Sequence, residues 1–285
     1  VDISNAYDLH IHSNPSLFER IGDDIYIANH AKEAGLTGIL LKNHFESTVG
    51  RAAIVKNIIG DLYIFGGLVL NSFAGGLNPV AVETALKLGA KEIWLPTIDS
   101  KAHAKVFGHL GGFGYQESVT KVKREAITIL DDGKIKEEVK IIVELVRDYD
   151  VILGTAHLGK DEIFLLAEFA HQINFSKLLI THPFFNPPNL NVKELVRLVQ
   201  LGSKIELCGG NLYPIPGVGR IDNYRETIRE VGAESIILTS DAGQPRKSLP
   251  YEVLRVFSQC LMEKGITQSE IDIMVKENPA YLLSI

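Results

Sequence analysis

Short runs rich in Ile, Val and Leu alternate with helix-patterned segments along nearly the whole chain, and that alternation leaves few folds open. The strand-like runs fall at 6–10, 38–42, 62–70, 92–96, 151–155, 177–181, 204–207 and 235–239. Most are apolar throughout, as strands covered on both faces should be. Helical patterns at 24–34, 79–88, 136–149, 161–173, 192–201, 222–231 and 249–264 separate them. Gly35 and Gly89 stand where helices end, and Asn78-Pro79 supplies an N-cap followed by proline at the first helical position. A last helix over 268–283 opens at Thr267 with Glu270 three residues on, a capping-box spacing. Eight such βα units predict an α/β protein with a (β/α)8 TIM barrel occupying residues 1–285 as one domain. An open doubly wound sheet is the alternative, but it gathers ligands at a switch point and gives no reason for polar residues at so many strand ends.

One segment, about 98–135, breaks the rhythm after the fourth strand. The stretch 108–115 is glycine-rich and reads as loop, and 126–135 reads as a hairpin turning at Asp132-Gly133. An insertion on a βα connection lies over the mouth of a barrel, so it is expected either to cover the site or to be a decorative hairpin.

Composition narrows the function classes. The formal net charge of -6 gives no basic surface for nucleic acid or an anionic membrane. Apolar runs such as 62–70 are too short and too interrupted by glycine to span a bilayer. The start, Val1-Asp2-Ile3-Ser4, has no basic or apolar leader character, although a chain that begins without Met leaves room for a removed upstream segment. Cys208 and Cys260 are expected to be buried reduced thiols, which favours a cytoplasmic location. The expected partner is a small-molecule substrate, and barrels of this kind often pair, which leaves a homo-oligomer open.

The chemistry is concentrated at the strand ends. Asp8-Leu9-His10-Ile11-His12 closes the first strand, and residues two apart on a strand share a face. His10 and His12 can therefore turn two imidazoles toward one divalent metal ion. The fifth, sixth and eighth strands end in His157, His182 and Asp241. A barrel brings all these ends to one mouth. A single strand-end histidine is most simply a hydrogen-bonded structural residue; four at one mouth have few structural explanations. Asp241 is the carboxylate that can bind a metal through one oxygen and accept a proton from an activated water on the other. Asp8 is expected on the face opposite the histidines, or behind one of them as an orienting partner.

The second strand continues this logic. If His44 points into the mouth, so does Lys42, which then needs Asp8 or Glu206 as a partner, a substrate anion, or carboxylation into a bridging ligand. Glu206 is unusual in an apolar strand and would have to find a cation. His30 and His171 lie in helix patterns and read as surface residues, whereas His103 and His109 sit in the insertion, within reach of a substrate. Arg220 and Arg246 follow the last two strands and could hold a substrate carboxylate or phosphate, with solvent exposure the plainer reading of each.

With His10-x-His12, His157, His182 and Asp241 in that order, the chain resembles the metal-dependent hydrolases of the amidohydrolase superfamily over nearly its whole length. Glu277-Asn278-Pro279-Ala280 is also similar to the Asn-Pro helix start that often closes such barrels. The resemblance implies a divalent metal, often zinc, with Mn, Ni or Fe equally suited to the ligands. It implies one or two ions and an activated water that attacks an amide, lactone or related bond. His10, His12, His157, His182, Asp241 and His44 would be the metal ligands, with Asp241, His182 and Lys42 acting in catalysis. Two departures stand out. The fourth strand, Ile93-Trp94-Leu95-Pro96-Thr97, has no bridging Lys or Glu, so the site holds one metal or Lys42 replaces the bridge. The first motifs, with Asn43-His44, are also similar to polymerase-and-histidinol-phosphatase-type phosphoesterases, yet Leu68-Val69-Leu70-Asn71 lacks the glutamate those carry after strand three. Phosphoester hydrolysis, decarboxylation and a non-catalytic metal-stabilised barrel are the competing expectations. Nothing in the sequence specifies the substrate.

Overall fold

Eight parallel strands pair in sequence order into a nearly closed barrel, because each carries branched apolar side chains on both faces. The computed structural model describes residues 1–114, 117–212 and 221–285. The barrel strands are β1 (Tyr7–His12), β2 (Gly38–Lys42), β3 (Tyr63–Val69), β4 (Glu92–Trp94), β7 (Ile152–Gly154), β8 (Leu178–Ile180), β9 (Lys204–Cys208) and β10 (Ile236–Thr239). Between β4 and β7 lies the small antiparallel hairpin β5 (Leu130–Asp131) and β6 (Lys134–Ile135). Its turn residues Asp132 and Gly133 take φ of 44° and 73°, as the two central positions of a tight hairpin turn require. The ring closes between Ile11 and Ala242, where the His12 amide donates to the Ala242 carbonyl at 2.8 Å.

The helices are α1 (Asp24–Glu33), α2 (Val49–Ile59), α3 (Pro79–Lys87), α4 (Lys101–Phe107), α5 (Glu137–Asp148), α6 (Lys160–Gln172), α7 (Val192–Gln200), α8 (Ile221–Val231), α9 (Pro250–Glu263), α10 (Gln268–Asp272) and α11 (Asn278–Leu283). Asn78 caps α3 by accepting from the amides of Val80 and Ala81, and Thr267 and Glu270 form the expected capping box on α10. Sequence patterning misses α2. Thr48 makes no side-chain cap bond there, and Ile54 and Ile58 put apolar side chains on the solvent face. It also misses α4, inside the insertion, which Ser100 caps through the His103 amide. The expected continuous helix 268–283 is broken by a π turn at Ile273–Glu277, just before Asn278-Pro279. Proline has no amide to continue the ladder, so the helix widens ahead of it.

Two cores follow from the alternation along each strand. The larger lies between barrel and helices and includes Ile11, Ile39, Leu41, Leu153, Ile205 and Leu238. The smaller fills the barrel with Leu9, Leu40, Val69, Trp94, Ile152, Leu179 and Ile237. Leu282 and Leu283 of α11 join this inner core beside Tyr7 and Phe65, so the last helix stops the barrel at the N-terminal ends of its strands. Gly154 makes room inside for two larger side chains: a Cβ there would come 2.6 Å from Trp94 and 2.7 Å from Glu92. With one end stopped, the open end is the one where the strands finish. Among the described residues no helix is long and apolar enough to cross a membrane. Both cysteines are free thiols; Cys208 is buried as expected, whereas Cys260 is only partly covered.

Candidate metal centre at the barrel mouth

The first strand delivers its histidines through an irregularity. Asp8 pairs with Ile39 and Ile11 with Leu41, so β1 has one more residue than β2 between the two pairs. The extra residue turns Asp8 and Ile11 outward while His10 and His12 face the mouth. Asp8 accepts from the amides of Ser240 and His10 at 3.0 and 3.3 Å, tying β1 to the exit of β10. Burial raises its carboxyl to about 7, against the lowering effect of those bonds.

Three strand exits reach the mouth through left-handed backbone. Ala156, ahead of His157, has φ of 50°, His182 has 30° and Asp241 has 47°. Non-glycine residues rarely adopt this region, and the cost is accepted where a side chain must be aimed. Asp241 Oδ1 stands 3.2 Å from His10 Nε2 and 3.2 Å from His12 Nε2. These three atoms lie within 4.8 Å of one another, as the donors of one metal site would.

The hydrogen bonds define which nitrogens are free. His10 Nδ1 lies 3.0 Å from Glu206 Oε1 and must carry a proton toward that carboxylate. Its Nε2 then presents a lone pair toward Asp241 Oδ1, also an acceptor, and the Lys42 ammonium stands 3.1 Å from that nitrogen. Two acceptors at this separation need a cation beside them; Lys42 supplies it in this structure, and a divalent ion among the three close donors would take over that contact, which is how the residues fit a metal. Glu206 is held in turn by Thr239 Oγ1 at 3.0 Å. Burial pushes its carboxyl up, but His10 outweighs that and leaves it below the usual range.

A similar relay stands behind His157. The proton on His103 Nε2 is donated to the Gly112 carbonyl at 2.8 Å, leaving His103 Nδ1 to accept from His157 Nδ1 at 2.9 Å. His157 Nε2 is thereby left bare. The His157 and His182 rings are 5.1 Å apart, and His182 is 5.9 Å from His10. Neither His157 nor His182 belongs to a three-residue ligand group among the described residues. His44 stacks on His12 at 5.0 Å and its Nδ1 meets Thr97 Oγ1 at 2.9 Å, so it too stands beside the close group.

Burial lowers the affinity of these imidazoles for protons. His12, His44 and His157 fall well below the usual range, helped by Arg20, by His12 and by His103 respectively. Burial takes His182 down to about 4. Burial works against ionised Asp241, yet His10, the His12 bond and His182 outweigh it and hold the carboxyl well below its ordinary value. Neutral His12, His44, His157 and His182 beside an ionised Asp241 are the protonation states a metal requires.

Lys42 does face the mouth, but its partner is neither Asp8 nor Glu206. Its Nζ donates to His10 Nε2 at 3.1 Å and lies 5.2 Å from the centre of the Trp94 ring. Asp8 is turned away by the irregularity in β1, and Glu206 is already engaged by His10. Glu92 lies deeper in the barrel with both oxygens unpartnered, and burial beside Glu206 raises its carboxyl well above the usual range.

His30 and His171 lie on the helix surface, as expected, and His109 is half-buried beside the Leu110 carbonyl. Arg246 is exposed, while Arg220 lies outside the described residues. Sequence reasoning passed over Arg20, Thr97 and the aromatic wall of Phe18, Phe113 and Phe185. Phe113, carried by the insertion, stands 6.3 Å from His157 and 6.4 Å from His44. These residues lie in irregular segments, where no period marks the inward face.

A family profile described as a family of unknown function, DUF6282, matches residues 5–206. No curated protein matches the sequence. Among solved structures, an amidohydrolase from Pseudomonas aeruginosa superposes with a TM-score of 0.63 at 14% identity, over 98% of this chain and 95% of that one. Dipeptidase AC, a metallopeptidase, gives 0.62 at 14% identity over 99% and 98%. A 2,6-dihydroxybenzoate decarboxylase, solved with 2,6-dihydroxybenzoate, gives 0.61 at 12% over 99% and 100%. At these identities the likeness is one of fold alone: the barrel superposes on those of the three structures.

Proposed function

The chain belongs to the DUF6282 family, and we propose that it is a metal-dependent hydrolase acting on an amide, lactone or related bond of a small molecule. The observation that carries this reading is the convergence of His10 Nε2, His12 Nε2 and Asp241 Oδ1 within 4.8 Å at the barrel mouth, with the His10 ring oriented by Glu206 at its Nδ1. Zinc is the proposed ion, and Mn, Ni or Fe suit the same donors. Such an ion supplies Lewis acidity toward water and a carbonyl. His10, His12 and Asp241 would hold it, with His157 and His182 completing the shell or binding the carbonyl oxygen of the substrate. Asp241, at 17% exposure the most open of the close group, is the base that takes the proton from the attacking water. Lys42, whose Nζ stands 3.1 Å from His10 Nε2, would release that nitrogen to the ion and leave its positive charge beside the site. The fold is shared with a lactonase, a dipeptidase and an amidohydrolase and equally with a decarboxylase, so it supports an enzyme, and the hydrolytic reading rests on the site.

The test is a metal titration of chelator-stripped protein followed by a panel of lactones, esters and amides. Uptake of about one ion per chain with turnover on the panel is expected. Asp241→Asn should lower kcat by about 10²–10⁴-fold while the protein stays folded. Failure to take up zinc, manganese, nickel or iron, or full activity in Asp241→Asn, would overturn the assignment.

A further inference from the structure

Among the described residues three guanidinium groups lie largely covered, and two of them are paired. Arg51 bonds Asp24 and Glu46, and Arg124 bonds Asp99. Arg20 is only 9% exposed, its Nε has no partner, and among the described residues it forms no ion pair. Asp241 acts on it only from beyond ion-pair distance, and a covered charge without a direct partner is costly, so this position suits an anion that arrives from outside.

The loop between β1 and α1 aims Arg20 at the mouth. Asn14 holds the stretch by donating its amide to Gly22 O at 2.9 Å and its Nδ2 to Arg20 O at 3.4 Å. The next amide, Ile21 N, donates to Gly243 O at 2.8 Å, two residues beyond Asp241. Gly243 itself packs so closely on β1 that a Cβ would come 1.8 Å from His12 O. Arg20 therefore sits at the corner shared by His12 and Asp241, and both feel its charge. Its guanidinium lies 5.7 Å from the centre of the Phe18 ring. Phe18 in turn stands 5.8 Å from His44 and 5.9 Å from Phe113.

We propose that Arg20 receives a carboxylate of the substrate, whose apolar, ring-sized body lies along Phe18 and Phe113 toward the histidines. The planar fork of a guanidinium matches a carboxylate through two parallel hydrogen bonds, and the phenyl wall offers no competing polar group. Asp241 does not fill this role: it attracts Arg20 only from beyond ion-pair distance, while its Oδ1 faces His10 and His12 at 3.2 Å each. A divalent ion on those residues would make the corner more positive still and strengthen its preference for an anion. The assignment names the substrate class of the hydrolase proposed above and rests on that reading for the reaction, but not for the binding.

The test is binding of benzoate, measured by calorimetric titration on the metal-free protein, with benzamide as the neutral counterpart and phenyl phosphate as the other oxyanion. Benzoate should bind at least about tenfold more tightly than benzamide, and Arg20→Met should remove that margin. Arg20→Lys keeps the charge, loses the fork and should fall between the two. It also serves as the variant to read if Arg20→Met does not fold. The exposed control Arg255→Met should bind benzoate as the unmodified protein does. Equal benzoate affinity in the unmodified protein and Arg20→Lys, or equal affinity for benzoate and benzamide, would overturn the assignment. So would binding of phenyl phosphate without benzoate. Arg20-dependent benzoate binding in a protein that hydrolyses nothing on the panel would sink the hydrolase and leave the carboxylate subsite standing.

Discussion

Glu206 shows how a residue that touches no substrate can govern the centre. Its carboxylate keeps the proton of His10 on Nδ1 and so leaves Nε2 as the acceptor that faces Lys42 and Asp241. Glu206→Gln keeps the shape but weakens that hold, and zinc affinity should fall about 10–100-fold in calorimetric titration, with far-UV dichroism unchanged. Undiminished affinity would show that the tautomer is set by another group. His103 has the matching role behind His157. His103→Phe leaves the buried His157 Nδ1–H without its acceptor and should cost about 1–3 kcal/mol of unfolding free energy in urea. The sequence made His10 and His12 legible because a two-residue period on a strand needs no long-range information. It marked Glu206 as odd for an apolar strand, but the partner of Glu206 is 196 residues away and only the closed barrel makes them neighbours.

At the scale of elements, the local signals that were strong were the ones obeyed. The Asn78-Pro79 start of α3 needs one side chain and two amides, all within three residues. Asn78→Ala should cost about 1 kcal/mol in urea unfolding and leave metal uptake unchanged. The connection after β10 is governed differently. Gly243 has φ of 127° and stands against the His12 carbonyl, so both its backbone and its missing side chain are used. Gly243→Ala should destabilise the protein by about 1–3 kcal/mol from the backbone alone, more with the clash, and should also weaken zinc binding because β1 must shift. Unaltered stability would mean the corner is looser than its contacts indicate. The elements that escaped sequence reasoning, α2 and α4, are those whose start or face lacks a signal. Thr48 makes no cap bond, and α4 hides in a segment whose glycines read as loop.

Considered as one molecule, the barrel is a neutral-histidine container whose stability depends on pH. Burial holds the folded-state proton affinity of His182 and His103 down to about 4, against 6.5 in an open chain. Between those values the unfolded chain binds more protons than the folded one, so stability rises with pH through this window and is lost as pH falls through it. Each of these two histidines costs the fold about 2 kcal/mol between pH 7 and about pH 5, and His12, His44 and His157 act in the same direction. The raised carboxyls of Asp8 and Glu92 act in the opposite direction over the same range, so urea midpoints of the metal-free protein should drop on balance, and less steeply in His103→Phe. An identical slope in His103→Phe would place that ring in contact with solvent. The sequence by itself determined the class of fold, because eight apolar runs separated by helices can bury both strand faces in few other ways. It also determined the His-x-His pair and the strand-end positions of His157, His182 and Asp241, since chain order decides which residue leaves a strand last. Tertiary structure decided everything that depends on distance between remote segments. It drew His10, His12 and Asp241 into one close group and left His157, His182 and His44 around it. It turned Asp8 outward through one extra residue in β1, paired Lys42 with His10, and set an unpaired Arg20 against an aromatic wall. These outcomes depend on closure of the barrel and on irregular loop backbone, and no local period encodes either.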